Sequence, residues 1–190
     1  GLNNNLPIVL AFGGSQGAQS INNSLIEIIL QEKNKNYQLI WAAGPSQYDD
    51  MKKVLIDNNK NIDNLKNVKI VPYIYNMEEV LNVVDLVVCR SGAMTITEIA
   101  NVGKPAIFIP YPFATENHQE YNAKVLEQVG AARIILDKNL NSNILNNEIC
   151  DMVANREKLI EMGNKASIIA VKNVEENIYK EIKKILDNNK

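Results

Sequence analysis

Leu6-Pro7-Ile8-Val9-Leu10-Ala11-Phe12-Gly13-Gly14-Ser15-Gln16-Gly17-Ala18 reads as a buried strand that breaks into a small-residue turn and opens a helix. The apolar run over residues 6–12 has no polar alternation, the pattern of a parallel strand covered on both faces. A second turn of the same kind, Arg90-Ser91-Gly92-Ala93-Met94-Thr95, follows the apolar run over residues 83–89. Each turn leaves a strand and exposes the free N–H groups of a helix N-terminus, so the pair makes a diphosphate site and points to nucleotide binding. Glu98, one turn along the second helix, adds an acceptor to that region. Neither turn has the Lys-Ser/Thr pair of a Walker loop, and neither has the GxGxxG spacing of a dinucleotide fold.

Outward from these turns the chain alternates short apolar runs with helical spacing. Ala18, Ile21, Leu25, Ile28 and Ile29 make residues 16–30 a helix, and 37–42 the next strand. A helix over 45–55 carries Tyr48, Met51 and Leu55 on one face. Residues 68–71 are strand-like and end at Pro72, after which 73–75 form a loop leading to a short helix at 77–81. Then come strand 83–89, helix 92–101, strand 106–109, helix 119–129 and strand 132–136. Strands alternating with helices give the βαβ pattern, whose parallel sheet binds ligands at the carboxyl ends of its strands. The predicted fold is therefore α/β, a Rossmann-like parallel sheet with flanking helices.

The last part reads as helices over 141–155, 157–165 and 166–186. The longest carries Ile169, Val171, Val174, Ile178, Ile182 and Ile185, a stripe that must bury against something. The predicted organisation is a linker or cut end over residues 1–5, a nucleotide-binding domain over 6–165, and a C-terminal helix over 166–190. That helix packs either on its own domain or against a missing partner domain.

The chain has 190 residues and a formal charge of −2, enough for one compact domain with a real core. Basic and acidic residues are mixed along it, which argues against a nucleic-acid footprint or a strongly basic membrane surface. No run approaches the length of a spanning helix and no secretory leader is visible, so the chain reads as a soluble intracellular piece. Cys89 and Cys150 have no metal-type spacing with His118, the single histidine, and read as reduced core thiols.

The two turns, together with Thr97-Glu98-Ile99-Ala100, Gly103-Lys104-Pro105 and Asn117-His118-Gln119-Glu120-Tyr121-Asn122-Ala123, carry a family resemblance. From about Pro7 to its end the chain resembles the C-terminal half of the MurG family, bacterial enzymes that add N-acetylglucosamine to undecaprenyl-pyrophosphoryl-muramyl-pentapeptide. The resemblance implies the C-terminal domain of an inverting two-domain GT-B glycosyltransferase, the half that holds UDP-N-acetylglucosamine. The family's N-terminal half, which holds the lipid acceptor and the catalytic-base region, has no counterpart here, so no catalytic residue is assigned.

Carried over position by position, the resemblance places Ser15 and Gln16 beside the donor diphosphate, which agrees with the donors available at that turn. Ile74 falls where a backbone reads the uracil edge, and Tyr73 beside it either flanks the ring or anchors its loop. Gly92, Ala93, Met94 and Thr95 match the helix start that meets the phosphates. Glu98 matches the carboxylate that accepts from both ribose hydroxyls. Arg90 has two readings, neutralising the pyrophosphate or pinning its turn through backbone carbonyls. Gln119 and Asn122 are candidate sugar contacts. His118 is a sugar contact or a loop cap rather than a base, since some members carry Gln there and an inverting transfer needs its base on the acceptor side.

The reaction so implied is displacement at the anomeric carbon by the C4 hydroxyl of lipid-linked N-acetylmuramic acid, converting lipid I to lipid II. Its setting is the cytoplasmic face of the inner membrane, where the enzyme is peripheral. The motif loops hold no carboxylate pair and no DxD element, so this reading requires no metal and no cofactor. Another UDP-sugar enzyme on the same scaffold, such as a 2-epimerase, and a binding module without turnover are the competing readings.

Overall fold

The computed structural model describes residues 5–33, 36–170 and 173–188. Six strands form one parallel sheet in the order β3-β2-β1-β4-β5-β6. They are β1 Ile8–Phe12, β2 Gln38–Ala42, β3 Val68–Val71, β4 Leu86–Cys89, β5 Ala106–Phe108 and β6 Ala132–Ile134. The register pairs Phe12 with Ala42 on one side and with Cys89 on the other, so β1, β2 and β4 end level with one another. The sheet order reverses direction between β1 and β4, and a parallel sheet opens its binding crevice at such a switch point.

Helices cover both faces, as the unbroken apolar strands require. α1 (Gln19–Leu30), α2 (Pro45–Asp57) and α6 (Ser142–Val153) pack Ile21, Leu25, Leu55 and Ile149 on one face, against Val9, Ala11, Trp41 and Val88. α3 (Met77–Val83), α4 (Ala93–Val102) and α5 (His118–Gln128) pack Leu81, Ile99 and Leu126 on the other, against Leu10, Phe12, Val87 and Phe108. Alternate residues of β1 thus feed opposite cores, the two-residue period of a strand. α7 (Arg156–Ile168) lies against α4 so closely that a Cβ on Gly163 would sit 2.3 Å from the Gly103 carbonyl oxygen.

Several boundaries differ from the sequence expectation. α1 starts at Gln19 rather than at Gln16, because Gly17 holds φ +81° and interrupts the helix. Val83 closes α3 and is 60% exposed, so the apolar run over 83–89 contains a helix end, and β4 begins at Leu86. The helix expected over 166–186 is two. α7 stops at Ile168, and α8 (Val174–Asn188) follows Asn173, whose φ of +55° breaks the path of an α-helix. Val171 lies outside the described residues. Ile169 still packs against the core, whereas Ile178, Ile182 and Ile185 of α8 share a face as expected yet are each more than half exposed, so the α8 part of the stripe is not buried on this domain.

One buried polar group ties the first turn to its neighbour. Asn22 on α1 accepts from the Trp41 indole N–H (2.9 Å) and donates to the Ala43 carbonyl (2.8 Å) and to Gln47 Oε1 (2.9 Å). Gln47 Nε2 and Ser46 Oγ in turn donate to the carbonyl of Gln16. The backbones of the β1–α1 and β2–α2 turns touch at two glycines. A Cβ on Gly17 would lie 2.1 Å from the Ala43 oxygen, and one on Gly44 2.4 Å from the Gln16 oxygen. Both have φ near +90°, which only glycine adopts readily.

Candidate functional site

The two turns stand side by side because the strands that carry them are hydrogen-bonded neighbours. In the first, the Gly17 N–H donates to the Gly14 carbonyl (3.1 Å), and Ala18 enters α1 in an extended conformation with no side-chain cap. In the second, Gly92 enters α4 the same way, again with no side-chain cap. Neither helix has an acidic residue in its first turn. Both therefore present unsatisfied N–H groups and the positive end of a helix dipole toward the same space.

That space is a cleft of about 530 Å³ at the carboxyl end of the sheet. Gly13, Gly14, Gly17 and Ala18 line one side, Gly92 and Thr95 the other, and the β5–α5 loop adds Tyr111, Pro112 and Phe113. Arg90, Gln119, Ser20, Gln19 and Asp137 complete it. The rings of Tyr111 and Phe113 meet edge to face with centroids 5.7 Å apart, and Phe113 is 82% exposed at the mouth.

Of the residues singled out from sequence, Arg90, Gly92, Thr95 and Gln119 line this cleft. Ser15 and Gln16 are exposed at the tip of the first turn. Ala93 and Met94 are exposed on the opening turn of α4, and Glu98 is exposed on the same helix. Tyr73 and Ile74 lie beyond the end of β3. Ile74 packs into the core while the Tyr73 ring meets that of Tyr75 at 5.0 Å, edge to face.

Gln119 and Asn122 act on the second turn itself. Gln119 Oε1 accepts from the backbone N–H of Tyr111 (3.0 Å) and of Ser91 (3.3 Å), and Asn122 Nδ2 donates to the Ser91 carbonyl (3.1 Å). Ser91, fully buried, returns a bond from Oγ to the Gln119 carbonyl at 2.7 Å. His118 is exposed, and its Nδ1 lies 2.8 Å from the Thr115 carbonyl. A carbonyl oxygen only accepts, so Nδ1 carries the proton and the ring closes the short turn Thr115–Asn117 that precedes α5.

Arg90 reaches furthest. Its Nη1 donates to the carbonyls of Ile109 (3.0 Å) and Pro110 (3.1 Å) and pairs with Asp137 at 2.5 Å, while Nη2 donates to Ser20 Oγ at 2.9 Å. Its guanidinium also lies 5.6 Å from the Tyr111 ring centroid. Both members of the ion pair are mostly covered, at 12% and 20% side-chain exposure. The cleft's cation is thus already paired, leaving the helix N-termini as its sources of positive potential. Burial, with the Glu98 charge adding to it, pushes the Cys89 thiol well above its usual range, so this cysteine at the end of β4 stays protonated.

Sequence reasoning missed Ser20, Tyr111, Phe113 and Asp137. The aromatic pair had a legible signal, lying in the loop at the carboxyl end of β5. Ser20 and Asp137 had none, being 70 and 47 residues from Arg90.

A six-stranded parallel sheet flanked by helices, with a cleft between two glycine-bearing turns at its switch point, is the Rossmann-like architecture of a GT-B C-terminal domain. The chain belongs to the glycosyltransferase family 28 C-terminal domain family, whose model matches residues 8–182. It is 43% identical over 190 residues to the UDP-N-acetylglucosamine--N-acetylmuramyl-(pentapeptide) pyrophosphoryl-undecaprenol N-acetylglucosamine transferase of Acetivibrio thermocellus, covering 99% of this chain and 50% of that protein. The protein of the same name from Ruminiclostridium cellulolyticum is 39% identical, with 95% of this chain and 49% of the relative covered. The chain therefore spans about half the length of the curated relatives it matches. Among solved structures, Acinetobacter baumannii MurG superposes with a TM-score of 0.81 at 31% identity, covering 96% of this chain and 51% of that one. A UDP-GlcNAc 2-epimerase from Neisseria meningitidis shares the fold, with a TM-score of 0.64 at 14% identity over 96% of this chain and 45% of the epimerase.

Proposed function

We propose that this chain is the donor-binding half of an inverting glycosyltransferase that moves N-acetylglucosamine from UDP-N-acetylglucosamine to undecaprenyl-pyrophosphoryl-N-acetylmuramyl-pentapeptide in peptidoglycan synthesis. The observation that carries the reading is the pair of uncapped helix starts converging on one cleft, in a chain similar over nearly its whole length to transferases of that name. In this reading the diphosphate lies between the first turn, with Ser15 and Gln16, and the α4 start at Gly92, Ala93, Met94 and Thr95. The uridine extends toward Ile74 and Tyr73, and Glu98 accepts from the ribose hydroxyls. The sugar lies toward Gln119, with Asn122 and His118 behind it holding the loop.

The chemistry asked of these residues is electrostatic. As the glycosidic bond breaks, negative charge accumulates on the leaving diphosphate, and fixed N–H donors at two helix starts stabilise that charge without reorganising. Arg90, already paired with Asp137, serves to hold the cleft's walls. Acceptor binding, the base that takes the C4 hydroxyl proton, and attachment to the cytoplasmic face of the inner membrane belong to the N-terminal half of the whole enzyme. The exposed apolar face of α8 is assigned to packing against that half.

Calorimetric titration of the 190-residue chain tests the donor reading. Saturable binding of UDP-N-acetylglucosamine, in preference to UDP-glucose, UDP-N-acetylgalactosamine and ADP, is the expected result. Folded protein that binds no uridine nucleotide would overturn it.

A further inference from the structure

We propose that Ser20 and Asp137 are positioning residues that act through Arg90, forming with it a strut that fixes the distance between the diphosphate end and the sugar end of the cleft. The assignment rests on the donor reading above. Ser20 stands in the first turn of α1, beside the proposed phosphate turn. Asp137 begins the short 3-10 turn Asp137–Asn139, which follows β6. Ser20 Oγ donates to Asp137 Oδ1 at 2.6 Å and accepts from Arg90 Nη2 at 2.9 Å, and Asp137 Oδ1 also takes Arg90 Nη1 at 2.5 Å.

The three side chains close a triangle, and the guanidinium extends it to the carbonyls of Ile109 and Pro110 and to the face of the Tyr111 ring. These are the first residues of the β5–α5 loop, whose aromatic lip walls the sugar end. Four segments that are remote in sequence are thus joined at one cation: the α1 start, the end of β4, the end of β5 and the turn after β6. A guanidinium suits this because its planar fork offers donors in fixed directions, whereas an ammonium would hold one point.

Asp137 has a second consequence. A carboxylate lining an anion site repels the anion unless its charge is engaged, and the pairing of Asp137 with Arg90 and Ser20 fits a role in orienting Arg90. The two roles predict opposite signs. If Asp137 only sets the charge of the cleft, Asp137→Asn tightens UDP and UDP-N-acetylglucosamine alike. If it positions the loop, the same change loosens the sugar end, and the phosphate end, built on backbone N–H groups, is left largely as it was.

The test is titration of the native chain, Asp137→Asn and Ser20→Ala with UDP and with UDP-N-acetylglucosamine, alongside thermal unfolding of each. The expected result is a roughly tenfold weakening of the sugar nucleotide relative to UDP in Asp137→Asn, the scale of one hydrogen bond between charged groups. Ser20→Ala, which leaves the ion pair in place, shifts the same ratio in the same direction by less, and keeps the inference testable if Asp137→Asn does not fold. An unchanged ratio in folded variants, or equal tightening of both ligands, overturns the strut while the donor reading stands. A native chain that binds neither ligand removes the donor reading and the strut with it.

Discussion

Three of the cleft's glycines, Gly14, Gly17 and Gly92, separate backbone strain, steric collision and ligand approach, so alanine at each has a different expected cost. Gly14 has φ +91° with nothing within 4 Å of a built Cβ, so Gly14→Ala bears only the left-handed conformation, about 1–2 kcal/mol. Gly17→Ala bears a similar strain at φ +81° and also drives its methyl to 2.1 Å from the Ala43 backbone oxygen, which no side-chain rotation relieves. Adding the usual cost of overpacking brings it to about 2–5 kcal/mol. Gly92 has φ −63° and open space around its Cβ, so Gly92→Ala bears neither strain nor collision and loses only the preference of an N-cap for glycine over alanine, about 1 kcal/mol. Its methyl also projects where the diphosphate is proposed to approach α4, so UDP binding falls although the chain still folds. Urea unfolding of the three variants, with midpoints compared at constant slope, reads the stabilities, and calorimetry reads the binding. Equal midpoints for Gly14→Ala and Gly17→Ala would refute the contact between the two turns. Undiminished UDP affinity in Gly92→Ala would refute the placement of the diphosphate.

Three further outcomes are expected. Glu98→Gln weakens UDP and UDP-N-acetylglucosamine equally, by roughly 1–3 kcal/mol, with folding unchanged, because a ribose contact is common to both ligands; calorimetry showing loss for the sugar nucleotide alone would move Glu98 toward the sugar. Asn22→Ala, which strands the buried indole N–H of Trp41 and the Ala43 carbonyl, costs about 2–4 kcal/mol in urea unfolding, from the usual penalty for unsatisfied buried groups. Ile178→Lys together with Ile182→Lys leaves the unfolding midpoint of this chain within experimental error, since both side chains are more than half exposed; a large drop would mean that α8 packs on the domain after all.

The sheet was legible because each parallel strand is buried on both faces and therefore announces itself as an unbroken apolar run, as in Val9-Leu10-Ala11-Phe12 and Leu86-Val87-Val88-Cys89. The same signal misled at Val83, where the end of one helix and the start of a strand are both apolar and only the turn at Val84 and Asp85 divides them. The break before α8 was hidden for a related reason. Helical spacing continues across Asn173, whose left-handed backbone angle sets α8 off from the chain before it without any change in the apolar pattern. At the site, the two turns could be read locally, since small residues after a strand limit the backbone to few paths. The bonds that Gln119 and Asn122 make to Ser91 could not, because they depend on β4 and β5 lying side by side. Ser20 and Asp137 are likewise brought to Arg90 by the sheet order.

Trp41 is the chain's one tryptophan, and it lies wholly out of water with its indole N–H on Asn22. Asn22 reaches through Gln47 to the carbonyl of Gln16, so the fluorophore sits three hydrogen bonds from the first turn. The protein thus carries an intrinsic optical probe at one known address, with no second indole to blur its emission. Any change in how the β1–α1 and β2–α2 turns are seated on one another bears on that indole's surroundings, so the proposed settling of a nucleotide on the first turn is expected to register in the native chain's emission without any label.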